Sequence, residues 1–260
     1  MQKQRYLLDE VRASEPIKNT LRLTWELIVL NKKFTLIVLS LLLLLNILTF
    51  FSGLFGMVLS GIFALTIQIY LSQMVYFSED IEEFIEQIKS SKVEVAVANN
   101  AFVASGAYIA WLILFVVFIF VLALILKNSG IPLEDIKTIN ELMSATQILF
   151  LPIVILTLLI SYIYPLVQSN IALAQNIFEG FLAPFTIFSP ALWRASFKNE
   201  YLKYIVMIMG LTFLGALLFG IFISLPIINI VAGFIFIVAV YVYMVFNSIV
   251  AMVARRIVES

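Results

Sequence analysis

The chain has 260 residues, 63% hydrophobic and 12% charged, with a mean hydropathy of +1.08, well outside the range of soluble globular domains. Lys+Arg and Asp+Glu balance at 16 each, so no nucleic acid or other polyanion is expected as a partner. Cysteine and histidine are both absent, which excludes disulfides, thiolate nucleophiles, imidazole acid–base catalysis and His- or Cys-ligated metal or haem.

Residues 1–33 read as an amphipathic arm. Leu7, Leu8 and Val11 share one helical face, with Arg5, Asp9, Glu10 and Arg12 mostly on the other. Ser14-Glu15-Pro16 is a helix start, with proline in the first turn where a missing N–H costs nothing. Ile17, Leu21, Trp25 and Ile28 then recur at helical spacing, and a tryptophan favours the headgroup zone. Two placements stay open: in the membrane interface, or docked on the protein's own loops. No small-residue cleavage pattern follows, so no cleaved leader is expected.

Span 1 covers residues 34–51, with only Thr35, Ser40, Asn46 and Thr49 polar among its 18 residues. Such a helix is about 27 Å long, close to the ~30 Å hydrocarbon core of a bilayer, and it is apolar all round. Ser52-Gly53 allows only a tight hairpin into span 2, residues 55–77. The stretch Ser78–Ser91 sets Ile81, Phe84, Ile85 and Ile88 against Glu79, Asp80, Glu82, Glu83 and Glu86, which predicts a short acidic surface helix. Span 3 follows at residues 101–126, then a loop over Lys127–Ser144 opening with Asn128-Ser129-Gly130-Ile131-Pro132. Span 4 covers residues 147–175 and contains Pro152 and Pro165, of which Pro165 predicts a kink. Phe181–Glu200 repeats the chemistry of the arm, with Ser189-Pro190 as a helix start and Trp193 echoing Trp25. Spans 5 (203–223) and 6 (227–254) are joined by Ser224-Leu225-Pro226, and residues 255–260 are expected to form a tail.

The expected fold is therefore all-α and polytopic: six transmembrane helices in three hairpins, with interfacial helices before spans 1 and 5. With the N-terminus inside, fourteen of the 16 basic residues fall in cytoplasmic segments and only Lys127 and Lys137 outside. That split satisfies the positive-inside rule and places both termini in the cytoplasm.

Two patterns repeat. Each returning span carries a tyrosine followed about one turn later by glutamine or asparagine: Tyr70 and Gln73; Tyr164, Gln168 and Asn170; Tyr243 and Asn247. These residues either make interhelical hydrogen bonds or gather into one polar cup, opening inward, for a lipid headgroup or small solute. Small residues also recur at every fourth position, at Ser52, Gly56, Ser60 and Ala64 and again at Thr212, Ala216, Gly220 and Ser224. Such stripes let helix backbones approach closely and read as packing seams.

No Asp, Glu, Lys or Arg occurs in 34–77, 101–126, 145–178 or 204–254, so the buried charges of proton relays and voltage sensors are missing. No phosphate loop or base-flanked serine is present either. The expectation is a protein without catalytic residues, cofactor or metal.

Thr20-Leu21-Arg22-Leu23-Thr24-Trp25 before span 1 and Pro190-Ala191-Leu192-Trp193-Arg194-Ala195-Ser196-Phe197-Lys198-Asn199 before span 5 carry a resemblance. In these stretches and in its six-span layout the chain resembles the YciC-like bacterial inner-membrane proteins, and distantly the membrane domain of some glycerophosphodiester phosphodiesterases. The resemblance implies an integral protein of the bacterial inner membrane and carries over no catalytic residue. Expected functions are envelope maintenance or service as a partner subunit, docking through the acidic helix and the arm. The alternative is a carrier or permease subunit for a lipid or small solute. Membrane lipids are the expected surroundings in either case.

Overall fold

The computed structural model describes residues 7–128, 139–223 and 231–260. Every regular element among them is helical. The arm forms α1 (Leu7–Ala13) and α2 (Pro16–Leu30). Six long apolar helices follow: α3 (Lys32–Ser52), α4 (Leu54–Phe77), α6 (Val93–Asn128), α7 (Ile139–Ala172), α10 (Asn199–Ile223) and α11 (Val231–Glu259). Between them lie α5 (Ile81–Ser90), α8 (Ile177–Leu182) with a 3-10 extension at Ala183–Phe188, and α9 (Pro190–Ser196). The chain is an all-α, multi-pass membrane protein.

Several boundaries differ from the sequence expectation. Helix α6 begins at Val93, eight residues before the expected span, because nothing in residues 93–100 breaks a helix and Asn100 bonds back to the Ala96 carbonyl at 3.2 Å. Helix α7 ends at Ala172 rather than 175. There Asn176 caps α8, its Oδ1 accepting from the Glu179 N–H at 2.9 Å while Glu179 Oε2 accepts from the Gln175 N–H at 2.8 Å. The expected tail is helical as far as Glu259, held by Arg255 Nε donating to Glu259 at 2.6 Å and by a two-pronged pair from Arg256 to Asp9 at 2.8 and 2.7 Å. The 129–138 part of the expected loop, the Ser224-Leu225-Pro226 turn and the start of span 6 lie outside the described residues.

Packing is uneven along the helices. At one end, termed the base, the arm, α5, α8 and α9 close around the long helices, and Leu71, Val75, Val167, Ile171, Val250, Val253 and Ala254 are fully buried. Toward the opposite end, the tip, Phe50, Phe51, Phe55, Phe115, Phe120, Phe150 and Leu218 point outward, as a lipid-facing surface requires. Helix α11 is the most enclosed of the six and touches α1, α2, α3, α4, α7 and α10. Helix α2 buries Thr20, Leu23, Thr24 and Leu27 against its neighbours and leaves Leu21 and Trp25 outside, Trp25 at 67% exposure. Trp193 behaves differently: its Nε1 donates to the Ile187 carbonyl at 2.7 Å and its ring stacks on Tyr162 at 6.2 Å, which docks α9 onto α7. The acidic helix α5 is docked by Phe84 and Ile88, the buried side of its apolar stripe. Asp80 caps it, accepting from the Glu83 N–H at 2.8 Å.

Candidate functional site

The returning helices α4, α7 and α11 bring their Tyr/Gln/Asn clusters to similar depth but not to one place. Tyr70 stacks on Phe34 of α3 with centroids 6.1 Å apart. Gln73 Nε2 donates to the Ala172 carbonyl at 2.9 Å, joining α4 to the end of α7. Asn170 donates to Thr186 Oγ1 at 3.1 Å and accepts from Arg255 Nη1 at 3.0 Å. Gln168 is fully buried, and neither polar atom of its side chain has a partner among the described residues. The base is thus the most tightly filled end of the bundle, with Ser72, Gln168, Ser169 and Ser248 shut off from solvent. These seven residues do not form one inward-opening cup. Helical rotation turns the three clusters to different neighbours, and the short base helices fill the space beneath them.

Three of the seven do converge, in a different cavity. Tyr164, Tyr243 and Asn247 line a groove of about 440 Å³ between α7, α10 and α11. Thr157, Ser161 and Thr212 add hydroxyls; Leu158, Ile208, Met209, Phe213 and Ala216 supply apolar walls. Tyr164 lies beside Gln68 and Tyr243 and packs on Trp111 at 6.0 Å. The side chains of Tyr243 and Asn247 hydrogen-bond no described residue, and Tyr243 is 50% exposed. Pro165, also in the wall, has no N–H to give the Ser161 carbonyl one turn back. A largely apolar groove between membrane-spanning helices therefore holds polar groups without described protein partners, and such groups are costly to leave bare in an apolar medium.

The small-residue stripes also separate. Ser52 and Gly56 make a true close approach at the tip hairpin: a Cβ on Gly56 would sit 2.5 Å from the Thr49 backbone, and the Gly56 N–H donates to Ser52 Oγ at 3.1 Å. Gly53 reverses the chain there with φ of 55°. Ser60 and Ala64 are half-buried. On α10, by contrast, Thr212 is half-buried and Ala216 and Gly220 are exposed, and nothing lies within 4 Å of a Cβ built on Gly210, Gly215 or Gly220. That stripe is not a seam within the described chain. Ser224 lies outside the described residues.

Sequence reasoning missed the closest backbone approaches. A Cβ on Gly106 of α6 would be 2.2 Å from the Ile177 carbonyl oxygen, and one on Gly180 of α8 2.4 Å from the Val103 carbonyl oxygen. The two glycines let α8 cross α6 in direct backbone contact. A fixed-period search within one span cannot find them, because the partners lie on different elements; the run of small residues Ala104-Ser105-Gly106-Ala107 was the available signal. Further cross-links are hydroxyl pairs, Thr20 with Tyr204 and Thr35 with Tyr241, each at 3.0 Å. Ser248 Oγ adds a bond to the Gln68 carbonyl at 3.1 Å.

No protein-family model matches the chain, and no characterised protein or solved structure matches it either.

Proposed function

We propose that this membrane protein is a non-enzymatic carrier subunit that holds an amphiphile, a lipid or a small part-polar solute, in the groove between α7, α10 and α11. The observation that carries this reading is the groove's chemistry: hydroxyl and amide groups of Tyr243 and Asn247 without described partners, framed by apolar walls between membrane-spanning helices. Polar groups at membrane depth that the protein leaves unpaired favour a ligand that pairs them. The closed base directs exchange sideways rather than into an aqueous cup. The membrane is the bacterial inner membrane, with the base cytoplasmic, a placement that the basic-residue split and the YciC-like resemblance favour. Native mass spectrometry of the purified chain tests the reading. Wild type retains a co-purified amphiphile; Tyr164→Phe with Tyr243→Phe and Asn247→Leu loses it. Equal retention by both overturns the proposal.

A second reading, a partner subunit of a membrane complex, is favoured by the outward α10 face around Gly215, Ala216 and Gly220. Such a surface accepts a neighbouring helix at short range. Blue-native migration separates the two, since a stoichiometric partner shifts the band and a retained lipid does not.

A further inference from the structure

Another cavity lies where α3, α5 and α6 come together. It occupies about 640 Å³ between the first turn of α3, the end of α5 and the first turn of α6. Its lining combines three ammonium groups, Lys33, Lys89 and Lys92, with one carboxylate, Glu94, and with the apolar side chains of Phe34, Ile37 and Val93. All three lysines are exposed, and none makes an ion pair with a described residue.

Asn31 ties together the backbone segments that carry the lysines. Its Oδ1 accepts from the Phe34 N–H at 2.9 Å, starting α3, while its Nδ2 donates to the Ile88 carbonyl at 2.8 Å and the Ser91 carbonyl at 3.1 Å. One side chain therefore ties the α5–α6 corner, which carries Lys89 and Lys92, to the helix start that carries Lys33. Ser91 Oγ fixes the same corner by donating to the Gln87 carbonyl at 2.7 Å. Three ammonium groups against one carboxylate leave the lining of this cavity net positive, which favours an anion there. The first N–H groups of α6, at Val93 and Glu94, face no intrahelical acceptor and add positive potential at the same corner.

Depth identifies the anion. Lys33 directly precedes the apolar run of α3, so it stands at headgroup level if that helix spans the bilayer. Ile37 and exposed Leu36 continue from the cavity along the lipid-facing side of α3. We infer that this corner binds the phosphate of an anionic membrane lipid, with the headgroup among Lys33, Lys89 and Lys92 and the chains lying along α3. The site is separate from the α7–α10–α11 groove, and neither stands or falls with the other.

The test is a titration of the full chain in mild detergent, followed by native mass spectrometry. The probes are dioleoyl phosphatidylglycerol, dioleoyl phosphatidylcholine and inorganic phosphate. A lysine at an anionic surface is worth about fivefold, so Lys33→Gln with Lys89→Gln and Lys92→Gln weakens phosphatidylglycerol binding roughly a hundredfold. Glu94→Gln removes the opposing charge and tightens binding severalfold. Lys18→Gln with Arg22→Gln on α2 leaves binding unchanged. Competition by inorganic phosphate alone identifies phosphate itself as the ligand, whereas no competition, with phosphatidylglycerol preferred over phosphatidylcholine, identifies the lipid. Wild-type binding by the triple variant, or an equal loss in the α2 variant, overturns the inference.

Discussion

Replacing Gly180 with alanine tests the tightest crossing in the fold. The new methyl carbon would start 2.4 Å from the Val103 carbonyl oxygen and 3.1 Å from the Val103 Cα. A relaxed carbon–oxygen contact is about 3.3–3.6 Å, so α8 must move away from α6 by roughly 1 Å. The obstructing atoms are backbone, so no rotamer change relieves the clash. Overpacking of this kind costs about 1–3 kcal/mol, which in a chain of this size lowers the melting temperature by about 2–12 °C. Gly106→Ala meets the Ile177 carbonyl oxygen at 2.2 Å and has the same sign. The double variant costs less than the sum of the two, because the first methyl already opens the crossing for the second. Gly210→Ala and Gly215→Ala serve as controls, since nothing lies within 4 Å of the added carbon. Both are helical and gain about 0.5–1 kcal/mol from the stiffer residue. Thermal melting in mild detergent reads all four. A wild-type melting temperature for Gly180→Ala, or a loss at Gly210 as large as at Gly180, refutes the reasoning.

Gln73→Leu removes the bond to Ala172 and destabilises by about 0.6 kcal/mol, at most about 2, in the same melting assay. Gln168→Leu has the opposite expectation: both polar atoms are buried without a described partner, so the variant melts at or above the wild-type temperature. Breaking the Asp9–Arg256 pair with Asp9→Asn frees the arm from α11. Trypsin then cuts within residues 12–22 several times faster than in wild type, and unchanged cutting rates show that the arm is held by Leu7, Leu8 and Val11 instead.

The helix pattern was open to sequence reading because hydrophobic length is a one-dimensional property. Each of the six predicted spans corresponds to a long apolar helix. The apolar side of α5 was equally legible, since Phe84 and Ile88 keep one helical period and are the residues that bury. Direction was harder. Tyr70 and Tyr164 occupy equivalent places in their hairpins, yet one stacks on α3 and the other lines the α7–α10–α11 groove, because facing depends on how each helix rotates against several neighbours at once. The α10 stripe misled for a related reason: small residues permit close approach but do not supply the helix that approaches. The end of α11 was misread as a tail because the partner of Arg256 is Asp9, almost the whole chain away.

The central claim, that the side groove holds a membrane amphiphile, is tested most directly by photocrosslinking in lipid nanodiscs. A benzophenone amino acid is placed at Thr212, inside the groove, or at Leu218, on the open lipid face. The account predicts one dominant amphiphile adduct at Thr212, lost when Tyr243→Phe and Asn247→Leu are added, and a mixture matching bulk lipid at Leu218. Indistinguishable adducts at the two positions, unaffected by those substitutions, would contradict it.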